Sequence, residues 1–198
     1  MIVGITGGIG SGKTICAEIF EELEIPVYYS DQRAKELMVT DLNLITSIKL
    51  LFGEESYTED GRLNRKYIAG LIFNDESMLK EMNKLVHPAV RADFLNWGRQ
   101  QLKSAPYIMQ ESALLYETGS YRLFDKVIVV DAPIDIRIRR VMERDSVTEE
   151  QVLARMSKQL PSEEKREKAD YIIENDGRHS IIRQIIEIHM DLLSNKNS

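Results

Sequence analysis

A single cysteine, Cys16, leaves the chain unable to close an internal disulfide, so nothing in it calls for an oxidising compartment. Three histidines make a histidine-built metal cluster an unpromising reading. No apolar run approaches the ~20 residues that span a bilayer. The chain enters a hydrophobic strand at once, without a basic segment and cleavage site, so neither secretion nor membrane insertion is expected. Positive charge is not in excess either: 26 Lys and Arg against 32 Asp and Glu give a formal net charge of −6. That balance excludes the broad basic field of a nucleic-acid binder and makes any affinity for phosphate local. Internal repeats and low-complexity tracts are also missing. These absences point to a cytoplasmic protein with no nucleic acid or membrane partner.

What is present is ordinary globular material. The 198 residues are 43% hydrophobic and 29% charged, enough to bury a core without staples. Short runs rich in β-branched residues predict buried strands at Ile2 to Thr6, Tyr107 to Gln110, Lys126 to Asp131 and Tyr171 to Glu174, with a weaker one at Val27 to Tyr29. Helical patterns separate them, the alternation of a parallel sheet covered on both faces. The expected fold is therefore α/β, a parallel five-stranded sheet flanked by helices, in one domain spanning 1–198. Its core would comprise 1–30, 105–136 and 169–198. Residues 31–104 show no strand pattern and read as a helical insertion, broken at Gly53, Gly61 and Pro88, of the kind that carries a substrate. Residues 137–168 are charged and helical, a candidate lid. Thr148 and Gln151 have the spacing of a capping box, starting a helix that runs towards Gln159 before Pro161 interrupts it. Ile182, Ile185, Ile186, His189 and Leu193 would form the buried face of a closing helix.

The most specific local signal is Gly7-Gly8-Ile9-Gly10-Ser11-Gly12-Lys13-Thr14, a Walker A P-loop placed where it must be, after the first strand and before a helix. Glycines let successive N–H groups turn inward towards phosphate oxygens, and the helix that follows offers its positive N-terminal end to the same anion. Lys13 brings a compact positive charge for the β and γ phosphates, and the Thr14 hydroxyl is a ligand for Mg²⁺. Glu111, at the end of the Tyr107 to Gln110 strand, is the candidate second metal-side group, directly or through water. Cys16, on the following helix, reads as a small buried side chain.

A P-loop announces nucleotide binding and leaves the activity open. A guanine-reading switch would carry Asn-Lys-x-Asp, yet Asn83-Lys84-Leu85 is followed by Val86, in a helical pattern. A small-molecule kinase needs a group to orient the attacking hydroxyl and arginines to cover the transferring phosphoryl group. Asp31, just past the second strand, suits the first role, although an N-cap function would explain it as well. Arg140 and Arg144, four apart on one helical face, suit the second, although charged helical runs are usually solvated faces. Kinases acting on a nucleoside, nucleotide or shikimate-like acceptor, and a nucleotide-binding regulator that recognises a protein, remain alternatives on these features alone.

From Ile2 to about Gly177 the chain resembles the dephospho-coenzyme A kinases. The resemblance rests on Gly4-Ile5-Thr6 leading into the P-loop, Tyr29-Ser30-Asp31, Gly61-Arg62-Leu63-Asn64-Arg65, Ile72-Phe73, and Asn83 with His87-Pro88. It continues through Glu111-Ser112-Ala113-Leu114-Leu115-Tyr116-Glu117, Phe124-Asp125, Arg140 through Asp145, Arg155 with Gln159, and Ala169-Asp170 through Asn175. It implies a nucleoside-monophosphate-kinase-like fold that takes Mg²⁺, ATP and dephospho-coenzyme A, as a monomer or small homo-oligomer. Implied ATP contacts are Gly8, Ile9, Gly10, Ser11, Gly12, Lys13, Thr14, Ile15 and Asn175. Implied acceptor contacts are Thr6, Asp31, Arg65, His87, Leu115 and Glu117. Catalysis would fall to Asp31, Lys13, Arg140 and Arg144, and the metal to Thr14 and Glu111. Tyr29, Glu111 and Ala113 depart from the family pattern.

Overall fold

The computed structural model describes residues 1–194, the side chains of residues 73, 74 and 76 excepted. Residues 195–198 of the expected core, and the Phe73 side chain quoted in the resemblance, lie outside the description. In chain order the first elements are β1 (Ile2–Thr6), α1 (Lys13–Glu22), β2 (Val27–Tyr29), α2 (Ser30–Thr40), α3 (Leu42–Phe52), α4 (Arg65–Asn74) and α5 (Glu76–Gln101). There follow β3 (Ile108–Glu111), β4 (Lys126–Asp131), α6 (Ile134–Asp145), α7 (Glu149–Met156), α8 (Ser162–Glu167), β5 (Tyr171–Glu174) and α9 (Ile181–Ser194). The chain divides into two compact units, Met1–Tyr29 with Gln101–Ser198, and Ser30–Gln100. Among the described residues no helix is long and apolar enough to cross a membrane.

The first unit is built on one parallel sheet with strand order β2-β3-β1-β4-β5. Parallel pairing brings the C-terminal ends of all five strands to one edge, where loops can gather around a ligand. β1 is central and buried on both faces. Val3 and Ile5 join Phe20 of α1, Ile128 and Val130 of β4, Ile173 of β5 and Ile185 of α9 in one core cluster. At roughly 1.5–3 kcal/mol for each large apolar side chain taken from water, this cluster is the main source of the unit's cohesion.

Helix boundaries and faces differ from expectation where packing outweighs local pattern. The capping box forms, Gln151 N donating to Thr148 Oγ1 at 3.4 Å and Thr148 N to Gln151 Oε1 at 3.1 Å. The helix nevertheless ends at Met156, short of Gln159, whose side chain is engaged elsewhere. In α9 the buried residues are Ile185, Ile188 and Leu192, while Ile182 and Ile186 are 56% and 46% exposed. The apolar residues of this segment are dense enough to permit either face, and the 3-4 spacing of Ile185, Ile188 and Leu192 fits the sheet. His189 is half-buried and shares a 2.7 Å hydrogen bond with the hydroxyl of Tyr107, a fully buried residue.

The second unit is helical. Asp41 caps α3, accepting from Asn43 N and Leu44 N, and Gly53 ends it. Arg33 of α2 grips Asp93 of α5 with two bonds, 3.0 and 2.9 Å. Pro88, expected to break the chain, instead lies inside the 26-residue α5. An interior proline costs about 3 kcal/mol. Met82, Val86, Val90 and Phe94 recur at every fourth position and are all buried, so the stripe continues across the proline and its burial outweighs that cost. Pro88 sits on the exposed face, where water can reach the carbonyl it leaves unpaired.

Two stability outcomes are expected. Ile185→Ala should cost about 2–5 kcal/mol by urea unfolding, whereas Ile186→Ala should stay within about 1 kcal/mol; equal losses would put the buried face of α9 elsewhere. Burial lowers the His189 pKa below its ordinary value, so the folded protein refuses a proton that the unfolded chain accepts. Stability from this group is therefore complete above about pH 6.5 and falls as pH drops below it. The drop in urea midpoint between pH 7.5 and 5.5 should be smaller in His189→Gln than in the parent.

Candidate active site

The loop from Gly7 to Thr14 leaves the buried end of β1 and turns into α1. Gly12 stands at the N-cap with φ +90°, and a Cβ there would lie 2.2 Å from Asn175 Nδ2. A Cβ on Gly8 would lie 2.1 Å from Arg137 Nη2. The positive φ calls for glycine at Gly12, and at both places a side chain that holds the loop stands where a Cβ would be. The first turn of α1 contains no acidic residue, so its unpaired N–H groups present an uncompensated positive end.

Lys13 and Thr14, the first residues of α1, converge on one carboxylate. Lys13 Nζ lies 3.1 Å from Glu111 Oε1, and Thr14 Oγ1 donates to the same oxygen at 3.4 Å. Strand register explains the meeting: Glu111 of β3 pairs with Ile5 of β1, one residue from the strand's end. Glu111 is only 4% exposed. Among the described residues the hydroxyls of Thr6, at the end of β1, and Ser11, in the loop, are buried without a hydrogen-bond partner. An unmet buried hydroxyl costs about 1–3 kcal/mol, so the end of β1 and the cradle hold polar atoms that a polar ligand could satisfy.

Four side chains hold the loop from behind. Arg137, buried on α6, donates Nε to the Ile9 carbonyl at 3.0 Å and Nη1 to Ser162 Oγ at 2.9 Å. Arg140 directs Nη1 at the Gly10 and Ser11 carbonyls, 3.4 and 3.5 Å away, and Nη2 at Asn175 O and Oδ1, 3.2 and 3.3 Å away. Asn175 Nδ2 donates to Ser11 O at 2.7 Å, and Gln159 Oε1 accepts from Ile9 N at 2.8 Å. Asn175, expected as an ATP contact, thus stands against the loop's own backbone. Arg140 and Arg144, expected to act together, are separated here. Arg144 forms a two-point pair with Asp145, 2.7 and 3.1 Å, and Arg155 joins the same carboxylate at 2.7 Å. These partners, Arg144 foremost, hold the Asp145 pKa down at about 2. Arg137 and Gln159 were missed as site residues. The spacing of Arg137, Arg140 and Arg144, at i, i+3 and i+7, was the available signal for the arginine.

The other expected residues fall in several places. Thr6 is fully buried at the end of β1, and Ile15 is 55% exposed on α1. Cys16 is buried, and burial pushes its thiol up to about 12, which suits inert packing. Leu115 is buried over Gly4, where a Cβ would lie 2.8 Å from its Cδ1. Glu117 is likewise engaged internally, accepting from Leu160 N at 2.8 Å and pairing at 2.8 Å with Lys165, whose side chain is 1% exposed. In the helical unit Asp31 is exposed in the first turn of α2, two residues past β2; Arg65 begins α4 and His87 lies on α5, both exposed.

Known proteins resemble this chain over most of its length. Residues 1–180 match the sequence model of the family described as dephospho-CoA kinase. A dephospho-CoA kinase of Bacteroides fragilis is 36% identical over 94% of this chain and 90% of its own length. Among solved structures, the Thermus thermophilus protein TT1252 is 35% identical with a TM-score of 0.84, covering 98% of this chain and 97% of that one. A dephospho-CoA kinase from Campylobacter jejuni is 26% identical with a TM-score of 0.71, covering 98% of each chain.

Glu117→Ala would take away the carboxylate 2.8 Å from the buried Lys165 ammonium and leave the Ala113 carbonyl, 3.5 Å away, as its remaining acceptor among the described contacts. Removing one partner of such a pair is expected to cost about 3 kcal/mol in urea unfolding. A loss below about 1 kcal/mol would mean that Lys165 finds water or another acceptor.

Proposed function

The chain belongs to the dephospho-CoA kinase family, and we propose that its P-loop centre carries out the family's reaction through Lys13, Thr14, Glu111 and Asp31. The protein is a kinase that transfers the γ-phosphate of ATP to the ribose 3′-hydroxyl of dephospho-coenzyme A, giving coenzyme A and ADP, the last step of coenzyme A synthesis. The observation that carries the assignment of roles is the convergence of Lys13 and Thr14 on Glu111 at the head of α1.

The triphosphate lies in the cradle, its β and γ groups facing the N–H groups at the start of α1 and the Lys13 ammonium. The oxygen donors of Thr14 and Glu111 suit a hard cation such as Mg²⁺. No group of three or more His, Cys, Asp or Glu side chains able to hold a metal occurs among the described residues; Thr14 and Glu111 are the side chains that would hold the ion. When bound, Mg²⁺ neutralises charge on the β and γ phosphates. Asp31 accepts a hydrogen bond from the 3′-hydroxyl, aligns it with the γ-phosphorus and takes its proton late, as the bond from γ-phosphorus to the bridging oxygen breaks and ADP leaves. An ordinary carboxylate suffices, because transfer of this kind depends on alignment and charge more than on a strong base. Arg144 leaves Asp145 to cover the transferring group, while Arg140 acts through the loop it supports. Arg65 and His87 belong to the acceptor side. The setting is cytoplasmic.

Purified protein with Mg²⁺ and ATP should convert dephospho-coenzyme A to coenzyme A in preference to a panel of nucleosides, nucleotides and shikimate. Asp31→Asn should lower kcat by about 10²–10⁴-fold while ATP binding changes less than about threefold. Undiminished turnover in that variant would remove Asp31 from the role.

A further inference from the structure

Residues 159–162, the strap from the end of α7 to the start of α8, are fastened to the rest of the first unit at three separate points. Gln159 Oε1 accepts from Ile9 N at 2.8 Å, Leu160 N donates to Glu117 Oε1 at 2.8 Å, and Ser162 Oγ accepts from Arg137 Nη1 at 2.9 Å. Arg137 also donates Nε to Ile9 O at 3.0 Å. Both polar groups of the Ile9 main chain are therefore held by side chains 128 and 150 positions away.

Ile9 needs this help. It is flanked by Gly8 and Gly10, the latter with φ +80°, so local sterics leave the crown of the P-loop weakly defined. The bond across it, from Ser11 N to Gly8 O at 3.0 Å, fixes the turn without fixing the direction of the Ile9 peptide. Phosphoryl transfer depends almost wholly on positioning and preorganised charge, and a misplacement of about 1 Å can cost roughly 10²-fold.

We propose that Gln159 is a positioning residue for phosphoryl transfer: its side-chain carbonyl, placed by the anchored strap, sets the crown of the P-loop through the Ile9 N–H. It does so without touching substrate. The proposal rests on the kinase reading of the P-loop. It makes the strap a part of the cradle, and it gives Gln159 a role that depends on one acceptor atom and not on bulk.

The test compares Gln159→Met, of similar size but without the acceptor, with Gln159→Glu, which keeps it. In Gln159→Met, kcat should fall about tenfold, with KM for ATP and for dephospho-coenzyme A each within about threefold and the melting temperature within about 2 °C. Gln159→Glu should restore kcat at saturating ATP to within about threefold of the parent. In the protein without nucleotide, hydrogen exchange at the Ile9 amide should quicken about tenfold in Gln159→Met and return in Gln159→Glu. The proposal is overturned by a Gln159→Met kcat within about twofold of the parent, by unchanged Ile9 exchange, or by a Gln159→Glu variant as slow as Gln159→Met. A melting temperature lowered by more than about 5 °C in Gln159→Met would also overturn it, in favour of a merely structural role. A parent protein that fails to phosphorylate dephospho-coenzyme A would count against the kinase reading, and the exchange result would still decide whether Gln159 holds Ile9.

Discussion

A loop whose N–H groups are largely left free to face an anion has few of them for holding its own shape, so its carbonyls are tied from the opposite side. In this protein the ties are side-chain donors: Arg137 to Ile9 O, Arg140 to Gly10 and Ser11 O, and Asn175 to Ser11 O. All three come from α6 or the end of β5, so the β4–β5 half of the sheet serves the cradle as its back wall. The glycines follow from the same arrangement, since Arg137 and Asn175 stand where side chains on Gly8 and Gly12 would be. Asn175 is itself fixed by its backbone bond to Asp131 O at 2.7 Å, which carries the loop's position back to the ladder between β4 and β5.

The P-loop was legible in the sequence because its chemistry lives in eight consecutive residues and needs no distant partner to be recognised. Strands β1, β2, β4 and β5 were legible with their bounds because buried parallel strands are short β-branched runs between turns. Glu111 could be found from its place at a strand end. The ties were not legible, since an arginine buried against a carbonyl 128 residues away has the same one-letter code as its solvated neighbours on α6. Pro88 misled for the opposite reason. Its local effect was read correctly, but the four-residue stripe from Met82 to Phe94 acts over a longer span and prevails. In α9 the choice between two apolar faces was left to the sheet, which local spacing cannot see.

Charge completes the account. The protein is acidic overall, yet Lys13, Arg137 and Arg140 gather at the P-loop and act at close range, where the net charge of −6 counts for little. Lys13 and Glu111 neutralise one another. The pairing matters because a nearly buried carboxylate left alone would cost several kcal/mol. Thr14 Oγ1 lies 3.4 Å from the same carboxylate, so the lysine and the threonine hold it together.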